Sequence, residues 1–156
     1  MSLALVRLDD RLIHGQVVVG WGQPLAVQFI VLVDDDVRAS AWEQDLYRMG
    51  VPPTIEVVFA SVDEARGKLA DWQHDPRVGI LLTGNIETMA ALIGTGLLHR
   101  VNLGGLHHRP GRIERLRYIY LTDAEAESLR RLASNGVEIS AQDVPTARAL
   151  PLREFL

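Results

Sequence analysis

A mainly parallel β-sheet covered by helices on both faces is the fold this sequence predicts. Three observations predict it. Short apolar segments alternate with helical patterns along the whole chain, as βαβ units do. The segment Phe29–Val33 is continuously apolar, as a parallel strand buried on both faces is. Two capping-box patterns, Ser61-Val62-Asp63-Glu64 and Thr122-Asp123-Ala124-Glu125, open helices directly after strand segments.

Each element follows from a local signal. Residues 3–8 form the first apolar strand. Residues 13–21 read as a helix weakened by Gly15 and Gly20. Phe29–Val33 is the second strand. Trp42, Leu46 and Met49 then share one helix face at i, i+4 and i+7, and Gly50 stops that helix. Pro52-Pro53 makes the break before the third strand, 55–60. The Ser61 box opens a helix running to about Trp72. Residues 78–83 are the fourth strand. Asn85 caps a helix with Ile86, Met89, Ala90 and Ile93 on one face. A short fifth strand, 101–103, ends in Gly104-Gly105. Residues 118–121 are the sixth. The Thr122 box opens a helix that stops at Asn135-Gly136. Residues 137–141 alternate apolar and polar, as a half-exposed seventh strand does, and residues 151–156 make at most one helical turn.

Composition narrows the chemistry. The 156 residues, 47% apolar and 23% charged, suit one soluble domain spanning residues 1–156. Cysteine is absent, which removes disulfides, thiolate metal sites and cysteine nucleophiles. The net charge of −4 disfavours wholesale nucleic-acid binding. No apolar run approaches a membrane span, and no signal peptide opens the chain. Lys68 is the only lysine, and it reads as part of a solvated helix face.

In such sheets the functional crevice lies at the carboxyl ends of the strands. The loop after the first strand is the richest. Arg7-Leu8-Asp9-Asp10-Arg11-Leu12-Ile13-His14-Gly15-Gln16-Val17 sets two arginines, two aspartates and a histidine between strand and helix. A histidine at a helix N-terminus is disfavoured as a cation and well placed as a neutral nucleophile or anion carrier. The arginine fork matches phosphoryl oxygens, and Gly15 clears space for a group to approach. The same residues also suit a loop whose aspartates cap the helix and pair with the arginines.

That loop resembles the signature of the enzyme IIB subunits of the mannose/fructose/sorbose family of the bacterial sugar phosphotransferase system. The resemblance continues through Trp21, Val101-Asn102-Leu103-Gly104-Gly105-Leu106, Thr122-Asp123-Ala124-Glu125, Gly136-Val137-Glu138 and Val144-Pro145. Leu106 replaces the usual methionine, and Gly20 replaces a larger residue. The resemblance implies a three-layer α/β/α domain with a seven-stranded, mainly parallel sheet in the order 3-2-4-1-5-6-7. It implies that His14 takes a phosphoryl group, on Nδ1, from a IIA protein and passes it to a sugar in a IIC/IID membrane permease. It further implies a cytoplasmic protein, peripherally associated with that permease, needing no cofactor or metal. The other reading of the same chemistry is a regulatory phosphoprotein without sugar transport.

Phosphoryl transfer spreads charge over three equatorial oxygens, so the protein must align the partners and neutralise that charge. Arg11 is the first candidate clamp and Arg7 the second. Asp9 or Asp10 either orients the imidazole through its non-reacting nitrogen or caps the helix and holds an arginine. Thr83 and Gly105, ending the fourth and fifth strands, are expected beside Gly15 around the phosphoryl group. The remaining motifs read more plainly. Asp34-Asp35-Asp36 suits helix capping, because the aspartate and lysine that a receiver domain also needs are missing. His99, His107 and His108 lack metal-ligand spacing. With Arg100, Arg109, Arg112, Arg115 and Arg117 they form a basic stretch, either a solvated edge or a docking face for an acidic partner.

Overall fold

The computed structural model describes residues 3–156. Strands β1 (Leu3–Asp9), β2 (Phe29–Val33), β3 (Glu56–Ala60), β4 (Gly79–Thr83), β5 (Arg100–Gly105), β8 (Glu138–Ala141) and β9 (Leu150–Pro151) form one seven-stranded sheet. Its order is β3-β2-β4-β1-β5-β8-β9, parallel except for β9. Strands β6 (Ile113–Leu116) and β7 (Ile119–Leu121) pair antiparallel in a separate ribbon. Five α-helices lie among the described residues: α1 (Asp35–Arg38), α2 (Ala41–Met49), α3 (Val62–His74), α4 (Ile86–Ile93) and α5 (Asp123–Ser134).

Three apolar clusters fix the layers. Ala65, Leu69 and Trp72 of α3 and Leu92 of α4 cover Val31, Val33 and Leu81 on one face. Ala126 and Leu129 of α5, with Met89, continue that face over Leu103 and Ile139. On the other face Val17, Val18 and Trp21 pack with Val37 and Tyr47 over Ile30, Leu32, Ile80 and Leu82. The result is the three-layer α/β/α arrangement.

The helix starts are built as the sequence dictates. Ser61 and Thr122 both complete capping boxes, and Asp34, Ser40 and Asn85 each accept an N–H from three residues on. Asp35 accepts the Val62 N–H at 2.8 Å, so the Asp34-Asp35-Asp36 run serves helix termini.

Four expectations are corrected. The strand expected at 118–121 leaves the main sheet. It pairs with Ile113–Leu116 and bridges to Leu106, just past β5, whose N–H donates to Tyr118 O and whose carbonyl accepts from Tyr120 N. The sixth and seventh places of the main sheet belong instead to β8 and β9. The tail is not simply a helical turn: Leu150–Pro151 adds an antiparallel edge strand before the 3₁₀ turn Leu152–Glu154. The helix expected over 13–21 is a π-helical stretch, Gln16–Trp21. Lastly, Trp42, Leu46 and Met49 do share a helix face, but it points to solvent, with Trp42 71% and Met49 84% exposed. Tyr47 is the α2 side chain that meets the core.

Candidate functional site

Strand β1 lies at the centre of the sheet, between β4 and β5, so its carboxyl end opens between their loops. Asp10 N–H donates to Gly105 O at 2.9 Å, which ties the loop to the end of β5. Leu12 N–H donates to Asp9 O at 3.0 Å and closes a tight turn, in which Leu12 adopts φ of +61°. That left-handed conformation is strained for leucine. Gly84 makes room for it: a Cβ there would stand 2.7 Å from Leu12 Cδ2. The turn brings His14 back over the end of its own strand.

Asp9, with no exposed surface, organises the site. Its Oδ1 accepts from Arg11 N at 3.1 Å and from Arg11 Nε at 3.0 Å. Its Oδ2 accepts from Arg11 Nη2 at 2.9 Å and lies 3.1 Å from His14 Nε2. Arg7 Nη2 stands 3.5 Å from the same oxygen. Burial alone would raise the Asp9 pKa; the hydrogen bonds from His14 and Arg11 more than reverse this and hold it well below the usual carboxylate range. An ionised carboxylate only accepts, so the proton of a neutral His14 ring resides on Nε2 and the lone pair on Nδ1. The His14 side chain is 21% exposed, enough to be reached by a partner.

Arg11 is the exposed arginine of the pair, with 34% of its side chain accessible. Its bonds to Asp9 raise its pKa. Its Nη1 has no hydrogen-bond partner among the described residues and is available to an incoming anion. Arg11 is the accessible cation of the site, with Asp143 and Asp10 also within electrostatic reach of it.

Arg7 does not fit the second clamp position. It is fully buried, beneath the site. It donates to Asn102 Oδ1, to Gln142 O at 2.9 Å and to Asp143 O at 3.0 Å, and its guanidinium lies 4.9 Å from the Trp21 ring centroid. Burial lowers its pKa, and Asp9 partly offsets this. Gly104 makes this possible. Leu8 pairs with Leu103 and Asp9 with Gly105, so Gly104 is the extra residue of a bulge. A Cβ there would stand 2.0 Å from Arg7 Cζ.

Two other expected residues face elsewhere. Asp10 turns away from His14: its Oδ1 meets His107 Nδ1 at 2.6 Å and its Oδ2 accepts the His107 N–H at 2.7 Å. Thr83 pairs in register with Leu8, whose side chain packs with Met89 and Leu103. Its buried hydroxyl therefore shares the α4 face, opposite Arg7 and Trp21. Gly105 borders Asp9 and Arg11: a Cβ there would stand 3.1 Å from Asp9 Oδ1 and 3.3 Å from Arg11 Nη2. Gly15 is exposed at the start of the π-helical stretch, with open space around its Cα.

The three downstream histidines diverge. His107 pairs with Asp10, His108 meets the Tyr120 ring edge-on at 5.8 Å, and the His99 carbonyl accepts from Glu138 N. Sequence reasoning missed Asn102, Gln142 and Asp143 as supports of Arg7. Gln142 and Asp143 act through backbone carbonyls, which leave no trace in side-chain identity.

Residues 3–156 match the family described as the sorbose subfamily IIB component of the phosphotransferase system. The chain belongs to that family. A IIB component is a phosphotransferase that carries a phosphoryl group during sugar uptake, and the comparisons lend the regulatory reading no support. This IIB chain is 28% identical over 145 residues to the sorbose-specific EIIB component of Klebsiella pneumoniae, covering 92% of itself and 88% of that protein. It is 27% identical over 161 residues to the mannose-specific EIIAB component of Escherichia coli K12, covering all of itself but only 49% of that longer chain. The crystal structure of the IIBSor domain of the Klebsiella pneumoniae sorbose permease superposes with a TM-score of 0.88 at 27% identity, covering 99% of this chain and 96% of that one. The crystal structure of manxB from Thermoanaerobacter tengcongensis gives 0.84 at 28% identity, covering 97% and 93%.

Proposed function

We propose that His14 is the phosphoryl-carrying residue and that Nδ1 is the atom that bears the group. The observation that carries this reading is the hydrogen bond between His14 Nε2 and the buried carboxylate of Asp9. A neutral ring with its proton held at Nε2 presents its lone pair at Nδ1. Attack on the phosphorus of a phosphohistidine donor forms the Nδ1–P bond as the donor's N–P bond breaks. The His14 ring then carries positive charge, and Asp9 compensates it without having to move a proton. Arg11 neutralises charge on the phosphoryl oxygens through its free Nη1.

The donor in this reading is a IIA protein, a partner class that the fused EIIAB relative supports. The acceptor is a hydroxyl of a sugar held by a IIC/IID permease. Its oxygen attacks phosphorus, the N–P bond breaks, His14 recovers its lone pair, and the hydroxyl proton passes to a base at the acceptor site or to water. The protein works in the cytoplasm, peripherally associated with that permease. Among the described residues no helix is long and apolar enough to cross a membrane.

The test is incubation with the general phosphocarriers and a matching IIA protein, followed by mass spectrometry. One acid-labile, base-stable phosphoryl group on His14, lost in His14→Ala, is the expected result. Label on His107 or on an aspartate overturns the assignment. NMR of the labelled ring distinguishes Nδ1 from Nε2.

A further inference from the structure

The second aspartate of the loop does not serve His14, yet its environment is as ordered as that of the first. Asp10 grips both the ring and the backbone N–H of His107, at 2.6 and 2.7 Å. Behind it Arg112, whose side chain is only 7% exposed, stands 3.7 Å from Asp10 Oδ2 and donates to the His107 carbonyl at 2.7 Å. Arg112 is in turn held by both oxygens of Glu125, at 3.0 and 2.9 Å. His107 is therefore fixed at its N–H, its carbonyl and its Nδ1, while 49% of its side chain stays exposed. Ordering a half-exposed ring this fully costs conformational entropy that a solvated surface histidine does not lose.

The place where the ring is held matters more. Gly105 lies opposite Asp9 in register. The point where a Gly105 Cβ would stand is 3.1 Å from Asp9 Oδ1, 3.3 Å from Arg11 Nη2 and 3.3 Å from His107 Cε1. The His107 ring thus borders the same small gap as the carboxylate that holds His14 and the arginine beside it. Cε1 faces that gap, and Nε2 is the ring nitrogen next to it that Asp10 does not hold. Nε2 has no hydrogen-bond partner among the described residues.

We infer that His107, held by Asp10, is a second contact to the phosphoryl group on His14, donating from Nε2–H to one of its oxygens. The inference rests on the carrier reading of His14. Arg11 already divides its fork with Asp9, so one free Nη1 is little for three phosphoryl oxygens. A protonated His107 adds a donor from the β5 side of the site, opposite the His14 loop. The charged groups that face it are Asp10 and Arg112 behind, with Asp9 and Arg11 across the gap. With Nδ1–H given to Asp10, the donor at Nε2 is that of the doubly protonated ring, whose charge the Asp10 carboxylate balances. Asp10 and Arg112 are positioning residues: they orient the ring and touch no substrate.

The experiment uses the whole chain with potassium phosphoramidate as a small phosphoryl donor, so no partner protein is needed. The labelling rate at His14 is followed by peptide mass spectrometry and the product by 31P NMR. His107→Ala is expected to slow His14 labelling about 10- to 100-fold, the loss of one charge-assisted hydrogen bond. It is also expected to move the phospho-His14 31P resonance. His107→Gln, which keeps an N–H donor, recovers part of the rate. Asp10→Asn gives an intermediate loss, and His108→Ala none. Thermal unfolding of each variant separates these effects from misfolding. A His107→Ala protein that labels His14 within twofold of wild type, with an unmoved 31P resonance, overturns the inference and leaves the carrier reading intact. A wild-type protein that takes no label at His14 overturns both.

Discussion

Asp9 Oδ2 lies 3.1 Å from His14 Nε2, and the same carboxylate holds both arginines of the loop. One buried anion therefore sets the tautomer of His14, fixes the Arg11 fork and balances Arg7 beneath it. Asp9→Asn removes the charge while keeping the shape. It leaves Arg7 buried without its anion, which costs about 3–5 kcal/mol of stability. It also removes the compensation for positive charge on the His14 ring, so phosphoryl uptake should fall by roughly 10² or more. The sign of the pH dependence follows from the depressed folded-state pKa. Asp9 contributes its stability above the unfolded-state value of about 4, and that contribution is lost as pH falls further, towards the folded-state value. Denaturant unfolding should show a constant gap between wild type and Asp9→Asn from about pH 5 upwards. The gap should narrow below about pH 4. A gap that widens on acidification contradicts the assignment.

Arg11 is predicted to act on the transferring group rather than merely to pair with Asp9. Arg11→Ala should slow single-turnover transfer from a IIA donor by roughly 10²–10³. Its stability should fall as well, by about 1–3 kcal/mol, because the buried Asp9 carboxylate loses both side-chain donors of Arg11. Arg11→Lys should recover little, since an ammonium cannot bridge Asp9 and a phosphoryl oxygen with one planar fork. Near-wild-type transfer in Arg11→Ala, measured beside its thermal unfolding, removes Arg11 from the chemistry. Arg7 cannot take its place, because it is buried against Asn102, Gln142 and Asp143.

The signals legible in the sequence were local ones. Capping residues such as Ser61, Asn85 and Thr122 act within three residues of themselves, so their pattern announces the helix start. The strand-end rule placed the site after β1, and the loop's residue types pointed to His14 and Arg11. What the sequence hid depends on direction rather than identity. Alternation along β1 allows Arg7 to face either way, and only the bulge at Gly104 shows that its guanidinium turns under the site. Asp9 and Asp10 are neighbours of the same type, yet one faces His14 and the other His107, because the turn between them points their side chains apart. The Trp42, Leu46 and Met49 stripe was sound as periodicity, but periodicity does not say which face of a helix meets the core. Residues 118–121 look like a sheet strand because Tyr118, Ile119 and Tyr120 are aromatic or β-branched, properties a two-stranded ribbon needs equally.

Arg7 and Gly104 make the last prediction, as a pair. The guanidinium fills the space a side chain at 104 would need, with the nearest atoms 2.0 Å from the Cβ position. Arg7 is locked there by three acceptors, an anion and the Trp21 ring, so it cannot withdraw as a surface arginine would. Gly104→Ala must therefore displace either the buried cation or strand β5, and should destabilise the protein by about 1–3 kcal/mol or more, as overpacking of a rigid site does. Arg7→Ala should cost about 3–5 kcal/mol, because it leaves Asn102 Oδ1 and the 142–143 carbonyls without their donor and removes a cation from beside Asp9. The two effects should not add. With Arg7 truncated, the atoms nearest the Cβ at 104 are gone, so the double variant should be little worse than Arg7→Ala alone. A double-mutant cycle by chemical denaturation measures this coupling. Strict additivity would show that the guanidinium does not occupy the space above Gly104.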